Sequence, residues 1–224
     1  MGPVRRPRRD RRARCGPGRA LVAPRFIAFE GIDGSGKTTQ AGLLAEALEG
    51  RGLRVTLTRE PGGTVLGERI RRLVLDGEPG HLSLAAEANL FAAARAELVE
   101  RVVRPSLAAG RWVVTDRFLD SSLAYQGAAR GLGIDRVLDI NEAAVAGSLP
   151  DLSLVIDTPV GAAAWRRSAA SDRIEAEGAG FQGRVAEGYH ELARRFPERV
   201  RLVTGDGPVE TVHARVMSAV GHFL

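Results

Sequence analysis

The chain has 224 residues, of which 44% are hydrophobic, 26% charged and only 5% aromatic, and no apolar run approaches the length of a membrane-spanning helix. A single cysteine, Cys15, excludes an intramolecular disulfide framework and a cysteine-built zinc cluster, in keeping with a reducing, cytoplasmic setting. The net charge of +5 is unevenly placed. Residues 1–24 carry eight arginines against one acid, Asp10, and hold +7, which leaves −2 on residues 25–224. The basicity therefore belongs to a tail and does not argue for a nucleic-acid-binding domain.

That tail, rich in Arg, Pro and Gly and without an apolar period, is expected to be disordered. No apolar stretch follows its charges as a secretory signal requires, and its prolines and glycines break the helix that a mitochondrial transit peptide needs. A nucleic-acid-binding arm is a further reading, and a dispensable extension is the one preferred. From Phe26 onward, short apolar runs alternate with helical stretches. The expected elements in order are strand Phe26–Glu30, helix Lys37–Glu49, strand Arg54–Thr58, helix Thr64–Leu75, helix Leu84–Leu107, strand Trp112–Thr115, helix Ile134–Ala146, strand Leu152–Asp157, helix Gly183–Arg195, strand Val200–Thr204 and helix Val209–Phe223. Strands separated by helices predict a parallel sheet covered on both faces, in one domain over residues 25–224.

Between the first strand and helix lies Gly31-Ile32-Asp33-Gly34-Ser35-Gly36-Lys37-Thr38, followed by Thr39, the pattern of a phosphate-binding loop in its expected context. Backbone N–H groups freed by the glycines, with a helix N-terminus behind them, make a nest for ATP phosphates. Lys37 is placed to bridge the β- and γ-phosphates, and Thr38 to bring its hydroxyl to Mg²⁺. Lys37 is also the only lysine among 32 basic residues. No Asn-Lys-x-Asp stretch for guanine can therefore exist, which argues against a GTPase.

The loop does not name the acceptor; later segments do. Thr58-Arg59-Glu60-Pro61-Gly62-Gly63-Thr64, Phe91-Ala92-Ala93-Ala94-Arg95, Asp116-Arg117-Phe118 with Ser121-Ser122-Leu123-Ala124-Tyr125-Gln126-Gly127, Asp157-Thr158-Pro159 and Asp172-Arg173-Ile174-Glu175 follow in order. Together they resemble the bacterial-type thymidylate kinase family of P-loop nucleoside monophosphate kinases, from Phe26 to about Leu224. Arg59 and Arg117, at the carboxyl ends of strands, offer planar forks to a dianionic phosphate. Phe91 and Arg95 share a helix face. Read from its own segment alone, Phe91 is a core residue; the resemblance implies instead that its ring stacks on the base and that Arg95 meets the thymine edge. It further implies that Asp33 accepts from the deoxyribose 3′-hydroxyl, that Asp116 orients Mg²⁺, and that Ser122, Tyr125 and Gln126 line the dTMP pocket. Ser121 also reads as a helix cap.

The resemblance implies a three-layer α/β/α P-loop fold, a five-stranded sheet in order 2-3-1-4-5, a mobile lid at about residues 165–177, and a homodimer through helices such as Leu84–Leu107. With no arginine at positions 32–35, the resemblance implies a lid that supplies the catalytic cations. Arg173 and then Arg166 are the candidates beside Lys37 and Arg117, although Ser168–Ser171 makes this lid sparse in charge. The turn Thr204-Gly205-Asp206-Gly207-Pro208 reads equally as an adenine contact or as a plain helix start. The implied reaction is Mg-ATP-dependent phosphorylation of dTMP to dTDP. The alternatives are a kinase for another nucleoside monophosphate, and a P-loop regulator or nucleic-acid-binding ATPase that uses the tail. No membrane partner is expected.

Overall fold

The computed structural model of the chain describes residues 23–76, 82–166, 173–174 and 177–224. The expected tail and much of the expected lid lie outside them. Five strands, β1 (Phe26–Glu30), β2 (Val55–Arg59), β3 (Trp112–Asp116), β4 (Leu152–Asp157) and β5 (Val200–Thr204), form one sheet in the order β2-β3-β1-β4-β5. Every pairing is parallel; Phe29 stands opposite Asp116, and Ile27 opposite Leu152. The expected fold class and strand order are borne out.

The central strands are apolar throughout because both faces are covered. Ile27, Phe29, Trp112, Val114 and Leu154 point to one face, where α1 (Lys37–Gly50) and α9 (Val209–Val220) bring Leu44, Leu48, Val212 and Val216. Phe26, Ala28, Val113 and Val155 point to the other, where they meet Leu98 of α3 (Leu84–Leu98) and Val185, Tyr189 and Leu192 of α8 (Gly178–Arg195). The edge strand β2 is buried at Val55 and half-open beyond it, as a strand with one neighbour must be.

Helix α9 ends at Val220, with a 3-10 turn over Gly221–Phe223 in place of its expected last residues, and the elements differ from expectation in three further places. The helix expected over Leu84–Leu107 is three pieces: α3, a wider π turn over Val99–Val103, and α4 (Arg104–Ala108). Helix α8 starts five residues early, at Gly178. Three helices were not foreseen. One is α7 (Val160–Arg166); the others are α5 (Leu119–Ser122) and the π-helical turn Leu123–Ala129 that continues it. This last stretch lacks a 3.6-residue apolar period because a π turn takes more residues. Helices α2 (Val65–Leu75) and α6 (Ile134–Val145) fall where expected, within a residue of each end.

Candidate active site

The loop between β1 and α1 is shaped by two glycines. Gly31 has φ +134°, and a Cβ there would lie 2.7 Å from the Ile156 carbonyl oxygen of β4. Gly36 takes φ +98° as it enters α1. Lys37 opens that helix and folds back, its Nζ donating to the Ile32 carbonyl at 2.8 Å and standing 4.0 Å from Asp33. Burial, then Arg117, lower its pKa to about 8. The Thr38 hydroxyl donates to Asp116 Oδ2, while Asp116 Oδ1 is buried without a hydrogen-bond partner.

Arg117 follows β3 with φ +73°, a strained conformation for a side chain, and its amide donates to the Phe29 carbonyl at 2.8 Å. Its guanidinium is held from several sides. It donates to the Gly31 carbonyl at 3.2 Å, to Ser121 at 2.9 Å, to the Tyr125 hydroxyl at 3.1 Å and to Asp33. Tyr125 and Gln182 also donate to Asp33 Oδ2, at 2.9 and 3.1 Å. Burial opposes the Asp33 charge, but Arg117 and Lys37 outweigh it and hold the carboxyl at about 2. Beneath this pair, Glu30 accepts from the Phe118 amide at 2.9 Å, from Ser121 and from Tyr189 at 3.0 Å. Burial and the nearby Asp120 push Glu30 up to about 7.

Asp33, Lys37, Thr38, Asp116, Arg117, Ser121 and Tyr125 line one wall of a cavity of about 350 Å³ at the carboxyl ends of β1, β2 and β3, where open α/β sheets bind ligands. The other wall holds Phe91, Arg95, Ser122 and Gln126. Phe91 is half-buried and also packs on the core, so its two readings are not exclusive. Arg95 is only 1% exposed. Its Nε donates to Glu60 at 2.9 Å, Nη1 to Asn141, and Nη2 to the Phe118 carbonyl and Ser122 at 3.1 and 3.0 Å. Burial pushes Glu60 up to about 7 against the pull of Arg95. The cavity therefore joins a phosphate-binding loop, fixed cations and an aromatic wall, the parts needed to hold two phosphorylated ligands end to end.

The family model described as Thymidylate kinase matches residues 29–216. A thymidylate kinase of Rhizorhabdus wittichii is 48% identical over 204 residues, covering 89% of this chain and 98% of that protein. One from Pelotomaculum thermopropionicum is 49% identical over 203 residues, with 89% and 94% covered. The chain belongs to the thymidylate kinase family. Among solved structures, the thymidylate kinase of Ehrlichia chaffeensis superposes with a TM-score of 0.73 at 34% identity, covering 89% of this chain and 99% of that one.

With the family in hand, the placement of each expected residue is informative. Asp33, Gly34, Lys37, Thr38, Arg59, Phe91, Arg95, Asp116, Arg117, Ser122, Tyr125 and Gln126 all reach the cavity. Gly31, Ile32, Ser35 and Gly36 complete the loop, and Thr39 lies in the first turn of α1 that follows it. Arg59 is drawn to Glu68, donating to its two oxygens at 3.1 and 3.2 Å. Arg173 does not line the cavity. It is 5% exposed, with Nε donating to the Val74 carbonyl at 2.9 Å and Nη2 donating to Glu87. Arg166 ends α7 in solvent. The turn at Thr204–Pro208 is braced by Arg215, which donates to the carbonyls of Thr204 and Asp206 at 2.7 Å. Gln40 of α1 donates to Val209 beyond that turn at 3.0 Å.

Sequence reasoning passed over Glu30, Glu60, Asn141, Gln182, Tyr189 and Arg71, which lines the cavity and donates to the Pro61 carbonyl at 3.0 Å. Glu30 had a signal, since it closes an otherwise apolar strand, and Glu60 lies inside a quoted motif. The other four sit on helices where nothing separates them from surface residues.

Proposed function

We propose that this chain phosphorylates dTMP to dTDP with ATP as donor. The observation that carries the reading is the single cavity that runs from the phosphate-binding loop, past Arg117, to Phe91, Arg95 and Gln126. The loop amides and Lys37 hold the donor phosphates. Arg117, with Arg59 released from Glu68, holds the acceptor phosphate. Phe91 stacks on the base, Arg95 and Gln126 face its polar edge, and Asp33 takes the 3′-hydroxyl. An oxygen of the acceptor phosphate attacks the γ-phosphorus in line as the bond to the ADP oxygen breaks. No side chain becomes a nucleophile; the protein contributes positioning and charge.

The residues also fit Mg²⁺. Among the described residues there is no cluster of three or more His, Cys, Asp or Glu for a metal, and Mg²⁺ needs none when phosphates and water complete its shell. Thr38 and the unpartnered Oδ1 of Asp116 are the groups that would hold it, and it would neutralise phosphate charge. In this reading Arg166 is the lid arginine among the described residues that reaches the phosphoryl group, and Arg173 anchors the segment through Glu87.

We infer a homodimer from large apolar side chains left exposed on β2, α2 and α3, namely Leu57, Leu66, Leu73 and Leu84. Sedimentation at micromolar concentration is expected to give twice the chain mass. No helix among the described residues is long and apolar enough to cross a membrane, and a cytoplasmic location is proposed. The deciding test is product identity. Chromatography of a reaction with Mg-ATP and dTMP is expected to show dTDP and ADP rising together; ATP hydrolysis without dTDP would favour the regulator reading.

A further inference from the structure

Glu87 lies in the first turn of α3, 1% exposed, and is one and two turns before Phe91 and Arg95 on the same helix face. It is surrounded by donors. Its Oε1 accepts from Gln126 Nε2 and from Arg130 Nε, both at 2.8 Å, and its Oε2 accepts from Arg173. Arg130 is fixed in turn by Glu177 at 2.8 Å and lies 5.1 Å over the Phe181 ring. A carboxylate between two guanidinium groups has only acceptors to offer. The Gln126 amide must therefore give it the NH₂ end, because the opposite rotamer would set a carbonyl oxygen against the carboxylate. The end left over is Oε1. It has no hydrogen-bond partner among the described residues, and Gln126 lines the cavity beside Phe91 and Arg95.

We propose that Glu87 is a positioning residue that sets base specificity by locking the Gln126 amide with its carbonyl oxygen toward the acceptor base. An oxygen acceptor at that point asks for an N–H on the ligand. Thymine and uracil present one at N3, next to a carbonyl that suits the donors of Arg95. Cytosine presents a bare nitrogen at N3 and an amino group where the carbonyl would be, so both contacts are mismatched at once. A site built to hydrogen-bond one edge rejects the wrong edge far more strongly than shape alone can. Phe91 stacks on any base, so discrimination among pyrimidines falls to Gln126 and Arg95. The Gln126 share depends on a residue that touches no substrate.

The proposal rests on the dTMP reading, so kcat/KM for dTMP and dCMP is first measured on the unaltered protein. Equal use of the two would remove that reading, and the proposal with it. The Glu87→Gln variant keeps shape but offers either amide end, which frees Gln126 to turn. The expected result is a fall of about tenfold or more in the dTMP-to-dCMP ratio. A ratio unchanged while both substrates lose activity equally would make Glu87 merely structural and overturn the proposal. Gln126→Leu supplies a second test that does not disturb Arg130 or Arg173. It is expected to lower the same ratio, and the double variant to lower it no further than Gln126→Leu alone. A Gln126→Leu protein that still discriminates fully, or additive losses in the double variant, would equally overturn it.

Discussion

Lys37 illustrates how one residue carries both a fold constraint and a chemical one. Burial first, and Arg117 second, leave it with a pKa of about 8 in the protein without nucleotide. Phosphate favours the charged form, so at pH 8.5 ATP binding is expected to draw a proton onto Lys37, and at pH 6.5 it is already charged. Calorimetry in buffers of different ionisation enthalpy is expected to show proton uptake at the higher pH only, and none in Lys37→Met. Arg117 is the second residue whose geometry, not only its charge, matters. Arg117→Lys keeps the charge but loses the fork that meets Asp33, Ser121 and Tyr125. A loss of about 10²-fold in kcat/KM for dTMP is expected. An equal loss in an ATP-only hydrolysis background would show that Arg117 is not tied to the acceptor. Both residues were legible in the sequence because their motifs are short and contiguous. Glu87 and Asn141 were not, because a carboxylate or amide on a helix looks like surface until a distant partner such as Gln126 or Arg95 is folded against it.

At the scale of elements, the sheet was readable because buried parallel strands are short continuous apolar runs, and β1, β4 and β5 fell within their expected bounds. The stretch from Leu119 to Ala129 was not, although it carries Ser121, Ser122, Tyr125 and Gln126. Its residues matched a motif before they matched a helix, so the site was clearer than the element that holds it. Helix α7 escaped for a simpler reason: seven residues are too few to show a period. At the β1–α1 loop, Gly31 passes close to β4. Gly31→Ala would force a Cβ against the Ile156 carbonyl at 2.7 Å in a backbone conformation that side chains rarely adopt. A destabilisation of about 1–3 kcal/mol is expected in denaturant unfolding, with weaker ATP binding. Unchanged stability would mean that β4 yields at that point.

At the scale of the whole molecule, charge is organised around a buried acid. Glu30 is raised to about 7 by burial and Asp120, and an unfolded chain would release its proton near 4.5. The folded state therefore holds that proton longer. The stability it lends is fully present below pH 4.5 and is lost as pH rises through about 7. The Glu30→Gln protein stays neutral, so its thermal midpoint is expected to gain on the unaltered protein between pH 5 and 7; a constant gap would contradict the assignment. Outside this core the +7 of residues 1–24 stands apart from the −2 of the remainder. The most direct measurement is kcat/KM with Mg-ATP for dTMP, dUMP, dCMP, dAMP and dGMP, on the full chain and on one starting at Pro24. The account predicts strong turnover of dTMP, slower or no turnover of the others, and the same values for both chains. Folded protein that binds ATP but transfers no phosphate to dTMP, or one that prefers a purine nucleotide, would contradict it.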